Sequence, residues 1–362
     1  MKMNIPVNQP FLPPIDNYKT YIEKIWNNSY LTNQGPLLKE FESTIKKFLE
    51  VDNFQFVANG TVALELALEA LDCEDAEIIT TPFSFVATTS SILWRHCKPV
   101  FVDIEPDNFT IDVNKIEEAI TSKTRAILPV HVFGYACDIE NIEKIAKKHS
   151  LFVIYDAAHA FGVNYKGKSI LSYGDISCVS FHTTKLFHTI EGGGCICSSK
   201  EISEKIDLIK RFGYDGDEHK CLGINAKVSE FNAAMGLANF PFISEIISKR
   251  KQLSQRYDEL LLNYVKRPKT QEYVDYNYGY FPVLFKNNLE LLKVFDNLKK
   301  HGIYARRYFF PSLNTLKYLP SKQSCEVSED ICSRIACLPL YYSLTLNDVE
   351  NVSKVIIETL KN

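Results

Sequence analysis

The chain lacks the features that mark several large classes of protein. It contains no apolar run long enough to span a membrane, and its first residues, MKMNIPVNQPFLPPIDNY, hold no apolar core of signal-peptide length. Charge of one sign is not in excess, because 41 Lys and Arg residues stand against 44 Asp and Glu residues and give a formal net charge of -3. We therefore expect a cytoplasmic protein without a nucleic-acid or membrane partner.

The ten cysteines lack the paired CxxC spacing of a zinc site or a redox motif. Cys195 and Cys197 alternate with one apolar residue, which favours two small side chains on one face of a strand over a metal pair. We expect free thiols, mostly buried, and no metal site. The alternative of a metal hydrolase using His131, His159 and His182 lacks the helix-spaced carboxylates that would complete a ligand set.

One common phosphate-binding loop is also missing. The chain has no GxGxxG that follows a predicted strand, so dinucleotide redox chemistry lacks its usual loop. What is present is an alternation of short apolar runs with helical patterns. The apolar runs lie at 78–79, 99–102, 126–130, 151–155 and 176–179, and helical patterns lie at 113–120 and 139–148. This alternation predicts an α/β fold with a mostly parallel central sheet flanked by helices.

The apolar pattern changes near residue 240, and 362 residues are enough for one large and one smaller domain. Beyond that point the sequence predicts a long helix at 242–264, an extended segment at 278–285 and helices at 289–301 and 346–360. We predict a large α/β domain with an N-terminal arm over residues 1–240. A smaller C-terminal α+β domain, beginning with a long connecting helix, is predicted over residues 241–362.

Polar side chains gather directly after three of the predicted strands. They are His131 after the run ending at 130, Asp156 and His159 after the run ending at 155, and Ser180, His182 and Lys185 after the run ending at 179. In open α/β sheets, ligands bind beyond the carboxyl ends of the strands. We therefore expect these side chains to meet at one edge of the sheet.

Three of the motifs are suited to one cofactor. Gly60 and Thr61 open a helical run, where free backbone N–H groups and a hydroxyl can bind a phosphate, although a simple N-cap explains the same residues. Asp156 at a strand exit can hold a cationic ring nitrogen, or it can cap a helix. Lys185 is either a surface lysine or a desolvated amine able to form a Schiff base. Together these parts can hold pyridoxal phosphate.

Several further motifs stand in order along nearly the whole chain. They are LTNQGP at 31–36, NGT at 59–61, TPFSFVAT at 81–88, PVHVFG at 129–134, DAAH at 156–159 and SFHTTK at 180–185. By these motifs the sequence resembles the DegT/DnrJ/StrS family of sugar-nucleotide aminotransferases. The resemblance implies the fold type I architecture of pyridoxal-phosphate enzymes, with pyridoxal 5'-phosphate as the cofactor.

The resemblance also implies roles for individual residues. Lys185 would form the Schiff base with the cofactor and move the proton during catalysis. Asp156 would keep the pyridine nitrogen protonated, His159 would contact the ring hydroxyl, and Phe85 would stack on the ring.

By the same resemblance, residues of two subunits would hold the phosphate of the cofactor. They are Gly60, Thr61, Ser180 and His182 of one subunit and Asn225 reaching from a second subunit. A homodimer with shared active sites is therefore implied.

Family members that act as dehydratases carry histidine in place of this lysine, so Lys185 implies transamination, with L-glutamate as donor. The flank SFHTTKLFHTIEGG is similar to that of members which aminate carbon 4 of dTDP-4-keto-6-deoxy-D-glucose to give dTDP-4-amino-4,6-dideoxy-D-glucose. Synthesis of surface polysaccharide such as O-antigen is the implied setting. Alternatives are amination at carbon 3 of a dTDP-3-keto-6-deoxyhexose, a UDP-4-keto sugar as acceptor, and a non-catalytic binder of sugar nucleotides.

Three residues have open alternatives. His188 contacts either the sugar or only the protein around it. Arg306 and Arg307, in a loop that resembles one near the family's active-site entrance, bind either the substrate diphosphate or the glutamate carboxylate, or lie on a solvated surface.

Overall fold

The computed structural model describes residues 4–319 and 321–361. The helices are α1 (Ile15–Asn28), α2 (Pro36–Leu49), α3 (Gly60–Ala70), α4 (Val86–Trp94), α5 (Ile139–His149), α6 (Lys200–Ile209), α7 (Glu230–Asn239), α8 (Ile243–Leu261), α9 (Asn288–Lys300), α10 (Glu326–Arg334) and α11 (Leu346–Lys361). The strands are β1 (Phe54–Val57), β2 (Glu77–Thr80), β3 (Lys98–Phe101), β4 (Thr124–Leu128), β5 (Phe152–Asp156), β6 (Asn164–Tyr165), β7 (Lys168–Ser169), β8 (Ile176–Ser180), β9 (Gly193–Cys197), β10 (Tyr214–Asp215), β11 (Glu218–His219), β12 (Val274–Asp275), β13 (Pro282–Leu284) and β14 (Ile335–Cys337).

The central sheet has the strand order β1-β9-β8-β5-β4-β2-β3. Strand β9 runs antiparallel to both of its neighbours, and the other neighbouring strands pair in parallel. The carboxyl ends of the six parallel strands consequently meet at one edge, together with the beginning of β9. This confirms the predicted α/β fold with a mostly parallel sheet.

Helices cover both faces of this sheet, because successive strand residues point to opposite faces and both faces are apolar. On one face, α2, α5 and α7 pack against strand residues such as Tyr155 and Ile196. On the other face, α3 and α6 pack against Ile154, Cys195 and Cys197. The two cysteines therefore share one strand face, as the sequence predicts. All ten cysteines are free thiols, and only Cys221 is exposed.

A separate apolar core forms in the C-terminal part of the chain. It is built by α8, α9 and α11 with β13 and β14, and it includes Ile5 from the N-terminal arm, which comprises residues 4–14. The helices predicted downstream of residue 240 are all present within a few residues of their expected ends. The division into domains at residue 240 stays a prediction, and residues 1–3, 320 and 362 of those domains lie outside the described residues.

The helical pattern at 113–120 is present as 3-10 turns and not as an α-helix. The two short turns are Val113–Lys115 and Glu117–Ala119, and Ile120 is extended, with φ -76° and ψ 130°. A turn closed by the N–H of Thr124 and the carbonyl of Thr121 then leads into β4, and the hydroxyl of Thr121 donates to Oε2 of Glu77 in β2 at 2.6 Å.

Among the helices that the structure describes, none has the length and apolar content needed to cross a membrane.

Candidate active site

A cavity of about 480 Å³ opens where the parallel strands end. Its lining residues follow from the sheet topology: Asn59, Gly60 and Thr61 come after β1, Ser84 and Phe85 after β2, Val130 after β4, Asp156 at the end of β5, and Ser180, His182 and Lys185 at and after β8. The predicted site residues are thus brought together, except for Asn225 and for His131, which is fully buried with its ring centroid 4.4 Å from that of Tyr155. Asn225 is exposed and does not line this cavity of its own chain.

The start of α3 forms one end of the cavity. Asn59 is the N-cap, and its Oδ1 accepts from the N–H of Val62 at 2.9 Å. The first amides of a helix have no intrahelical acceptor, so those of Gly60 and Thr61 remain available to a ligand. The N-cap and the anion-site interpretations are therefore compatible, since each uses a different N–H group.

Close contacts between glycine and neighbouring backbone shape this end of the cavity. A Cβ atom on Gly60 would lie 2.9 Å from Cβ of Ser180, and a Cβ atom on Gly193 would lie 2.7 Å from the backbone nitrogen of Gly60. Larger residues would push the helix start away from Ser180. The hydroxyl of Ser180 and the free amides therefore converge on a small space that fits a phosphate group.

Asp156 also lines the cavity and is only 6% exposed. Its Oδ2 accepts from the hydroxyl of Thr88 at 2.6 Å and its Oδ1 accepts from the N–H of Ala158 at 3.1 Å. The hydroxyl of Thr88 is in turn 2.7 Å from that of Ser84. Since Thr88 uses its own proton on Asp156, Ser84 is the donor in this second bond.

Burial raises the pKa of Asp156, and the hydrogen bonds from Thr88 and Ala158, followed by the charge of Lys185, oppose the rise. A cation placed against this carboxylate would add to the opposing effect. The position therefore suits the protonated nitrogen of a pyridine ring, because a charge-assisted bond is strong where water is excluded.

His159 is held in one tautomer. Its Nδ1 accepts from the N–H of Phe133 at 3.0 Å, so the ring proton sits on Nε2 in the neutral form. Burial, and then the charge of Lys185, hold the pKa of His159 well below its usual range. The ring lies between aromatic neighbours, with Tyr280 at 4.5 Å and Phe309 at 5.7 Å between centroids. A neutral Nε2–H donor suits a ring hydroxyl oxygen.

Lys185 lies on the lysine loop, residues 181–192, which connects β8 to β9. Burial lowers the pKa of Lys185 to about 8, Asp156 opposes that shift, and the nearby cation of Arg306 adds to it. A substantial fraction of the amine is then unprotonated near neutral pH and is available as a nucleophile. The desolvated-amine interpretation is therefore favoured over that of a surface lysine.

His182 and Phe85 lie at the edge of the cavity. The Nδ1 atom of His182 is 2.8 Å from the hydroxyl of Thr184, and its Nε2 is 3.6 Å from Oε1 of Glu191. The ring of Phe85 is 50% exposed, which leaves it free to contact a ligand. The roles of these two residues and of Asn225 stay predictions.

Some residues that line the cavity or lie directly behind it are not singled out by the sequence. Thr88 and Ser84 are four residues apart at the start of α4, and that spacing within TPFSFVAT is a signal that could have linked them to a neighbouring carboxylate. Tyr280 comes from the C-terminal part of the chain, and no local pattern marks it as facing the cavity, whereas Phe309 lies in the same loop as Arg306.

The two arginines of the 304–311 segment lie in different surroundings. Arg306 lines the cavity, and its guanidinium lies 4.6 Å from the ring centroid of Tyr308. Arg307 instead donates to the carbonyl of Ser333 at 2.7 Å and lies 3.7 Å from the ring centroid of Phe310. Only Arg306 is therefore placed to bind an anionic substrate.

His188 does not face the cavity. It is 2% exposed, and its Nε2 is 2.6 Å from the carbonyl oxygen of Phe11. Contact with the protein is therefore favoured over contact with the sugar. Within residues 4–319 and 321–361, no group of three or more His, Cys, Asp or Glu side chains is placed to hold a metal ion.

Comparison with known proteins gives matches over nearly the whole chain. Residues 15–357 match the model of the DegT/DnrJ/EryC1/StrS aminotransferase family. The chain is 42% identical to the dTDP-4-amino-4,6-dideoxy-D-glucose transaminase of Shigella dysenteriae, covering 99% of this chain and 100% of that one. It is 32% identical to the GDP-perosamine synthase of Escherichia coli O157:H7, covering 98% of both. The crystal structure of DesI in the presence of its TDP-sugar product superposes with a TM-score of 0.94 at 27% identity, covering 100% of this chain and 94% of that one.

Proposed function

Because this chain belongs to the DegT/DnrJ/EryC1/StrS aminotransferase family, whose enzymes use pyridoxal phosphate, we propose that it aminates a nucleotide-linked 4-keto-6-deoxy sugar. The acceptor is dTDP-4-keto-6-deoxy-D-glucose, the product is dTDP-4-amino-4,6-dideoxy-D-glucose, and L-glutamate is the donor. The observation that carries this choice of sugar is the 42% identity to the Shigella dysenteriae transaminase over the full length of both chains.

The cavity at the ends of the parallel strands is lined by the side chains that this reaction needs. When bound, pyridoxal phosphate supplies a ring that accepts electrons from the substrate carbon. Gly60, Thr61 and Ser180 bind the phosphate through amides and a hydroxyl. Asp156 holds the proton on the ring nitrogen. The Nζ atom of Lys185 would move a proton between the substrate carbon and the cofactor carbon. The lowered pKa of Lys185 favours this role.

The remaining lining residues bind and orient. His159 would donate from Nε2 to the ring hydroxyl of the bound cofactor, and Phe85 would contact the face of the ring. His182 completes the phosphate site through its backbone or ring. Arg306 binds an anionic group of the substrates, either a carboxylate of glutamate or the diphosphate of the sugar nucleotide.

We further propose a homodimer in which Asn225 of one subunit completes the phosphate site of the other. The exposure of Asn225, away from its own cavity, supports this arrangement. Neighbouring exposed apolar side chains, including Phe212, Leu222 and Ile224, supply surface for such an interface. The cell would use the product in surface polysaccharide such as O-antigen, with the enzyme in the cytoplasm.

The absorbance spectrum of the purified protein with pyridoxal phosphate tests the reaction in two steps. Glutamate is expected to convert the visible band into that of the amino form of the cofactor, and dTDP-4-keto-6-deoxy-D-glucose is expected to restore it. GDP-linked and UDP-linked 4-keto sugars and a dTDP-3-keto sugar serve as competitors. Restoration by one of these instead would overturn the choice of acceptor, and absence of any visible band would favour a non-catalytic binder.

A further inference from the structure

The N-terminal arm is bonded to the C-terminal part of the chain. Ile5 forms two backbone bonds there, donating to the carbonyl of Gly302 at 2.9 Å and accepting from the N–H of Tyr304 at 2.9 Å. Further along, the carbonyl of Val7 accepts from the N–H of Leu340 at 3.2 Å. The segment that the arm holds leads directly into the loop containing Arg306 and Phe309, which line the cavity.

The same arm is bonded to the lysine loop on both sides of Lys185. The Nδ2 atom of Asn8 donates to the carbonyl of Thr184, the residue before the lysine, at 2.8 Å. Three residues after the lysine, His188 bonds through Nε2 to the carbonyl of Phe11 at 2.6 Å. The arm therefore bridges the lysine loop and the segment that forms the other wall of the cavity.

His188 is fixed in the orientation that this bond requires. Its Nδ1 accepts from the N–H of Ile190 at 3.2 Å, so the proton on Nε2 is the one that Phe11 accepts. Its carbonyl accepts from the Nδ2 atom of Asn239 at 3.0 Å. Because the ring is buried and both nitrogens are used, His188 cannot act on a substrate.

The ring of Phe11 is anchored as well. It lies 5.2 Å from the ring of Phe242 and 4.9 Å from that of Tyr342, between ring centroids. Both aromatic residues, like Phe11 itself, pack against the apolar core that includes α2, α5 and α7, so the segment that carries the acceptor carbonyl of Phe11 is held in place. The bond between His188 and Phe11 therefore joins two segments that are each held in place by other contacts.

We propose that Asn8 and His188 are positioning residues for Lys185, which hold the lysine loop in register with the opposite wall of the cavity. This rests on the proposed function, in which Lys185 is the reacting amine. A lysine has four flexible side-chain bonds, so the place of its amine depends on how firmly its backbone is held. Misplacement of a reacting group by about 1 Å can reduce a rate by about a hundredfold.

The first test compares His188→Met with His188→Gln. Methionine fills the buried space but cannot donate to Phe11, whereas glutamine keeps an N–H donor on a side chain of similar reach. We expect His188→Met to lower kcat about tenfold and to change the KM for glutamate by less than about twofold, because one bond that orients the lysine is lost. His188→Gln is expected to recover most of kcat.

A second pair of variants avoids the buried position. Asn8→Ala removes the contact with Thr184, and the adjacent Gln9→Ala is its matched control, since Gln9 bonds to Ser343 at 2.9 Å and not to the lysine loop. We expect a fall in kcat of about fivefold for Asn8→Ala and nearly unchanged kcat for Gln9→Ala. The double variant Asn8→Ala with His188→Met is expected to lose less than the product of the single losses, because both remove the same bridge.

Two readouts do not depend on turnover. The pH midpoint of the visible cofactor band reports the environment of the lysine nitrogen, and we expect it to shift in His188→Met and Asn8→Ala but not in Gln9→Ala. Limited proteolysis should cut the arm faster in the same two variants. These readouts need only pyridoxal phosphate, so they test the positioning role even if none of the keto sugars is an acceptor.

Lower thermal stability of His188→Met with wild-type kcat and pH midpoint would overturn the proposal and leave His188 a packing residue. Strict multiplication of the two single losses in the double variant would also overturn it, because the two contacts would then act independently. If the wild-type protein lacks turnover with every sugar while His188→Met and Asn8→Ala show the expected shifts, the proposed acceptor would be overturned and the positioning role would stand.

Discussion

The two walls of the cavity are built in different ways. The wall from the large sheet consists of strand ends and the loop after β8, which carry Asp156, Ser180 and Lys185. The opposite wall consists of Tyr280, Arg306 and neighbouring aromatic residues from the C-terminal part of the chain. We infer that the first wall carries the chemistry and the second sets the shape and charge that a substrate meets. Substitutions in the first should change kcat, and substitutions in the second should change KM.

The largest effect is expected for Lys185→Ala. Alanine removes the amine that attaches the cofactor and moves the proton, so kcat should fall by at least about 10⁴-fold. The visible band of the cofactor should disappear while the fold, measured by circular dichroism, remains. Lys200→Ala is the matched control, since the Lys200 side chain is 83% exposed and pairs only with Glu204 across one helical turn.

Full turnover in Lys185→Ala would remove the difference between the walls, because the sheet wall would then have no reacting group. The control variant is expected to keep wild-type kcat and absorbance. A comparable loss in both would point to a general effect of lost positive charge rather than to the place of Lys185 in the cavity.

The second effect is expected for Asp156→Asn. Asparagine keeps the size of the side chain but loses the negative charge that holds a proton on the ring nitrogen. We expect kcat to fall by roughly 10²- to 10³-fold and the affinity for pyridoxal phosphate to fall as well. Fluorescence titration of the cofactor-free protein measures the affinity. Unchanged affinity and kcat would mean that Asp156 is only a structural carboxylate.

How much of the site the sequence predicts differs between the walls for a physical reason. Asp156 lies at the end of one strand and Lys185 lies just after another, and the apolar runs of both strands can be recognised in the sequence. Strand ends in a parallel sheet share one edge. Tyr280 reaches the cavity only through the packing of distant segments, and no local sequence pattern indicates this contact.

The chemistry wall also contains elements that short motifs do not reveal. The motif TPFSFVAT is recognisable, but the donation from Thr88 to Asp156 depends on the start of α4 lying next to the end of β5. His188 is a similar case, since its partner Phe11 lies at the other end of the sequence. Residue identity therefore predicts the reacting groups well and predicts the groups that orient them poorly.

A smaller effect is expected on the opposite wall, for Arg306→Ala. Loss of the cation should raise the KM for one substrate about thirtyfold and change kcat by less than about threefold. Steady-state kinetics with each substrate in turn identifies which anion Arg306 binds. Arg307→Ala should leave both KM values unchanged and lower thermal stability, because Arg307 bonds to the backbone of Ser333. A fall in kcat larger than the rise in KM would break the division between the walls.

The smallest effect is expected for Thr88→Val, which returns to the chemistry wall. Valine matches the shape of threonine but cannot donate to Asp156, whereas Thr88→Ser keeps the hydroxyl. The bond from Thr88 lowers the pKa of Asp156, so its loss should raise that pKa. During acidification, the carboxylate of this variant therefore takes up its proton at a higher pH than the wild-type carboxylate does. The acid limb of the kcat profile should move upward in pH, with kcat about tenfold lower at neutral pH.

A wild-type acid limb in Thr88→Val would mean that Thr88 only fills space beside Asp156. The serine variant separates the two roles, because it removes the methyl group and keeps the donor. If Thr88→Ser retains the wild-type acid limb while Thr88→Val does not, the hydroxyl is the group that acts. The sheet wall then tunes its chemistry through a residue that does not touch the reacting atoms, whereas Arg306 on the opposite wall acts by direct contact with a substrate.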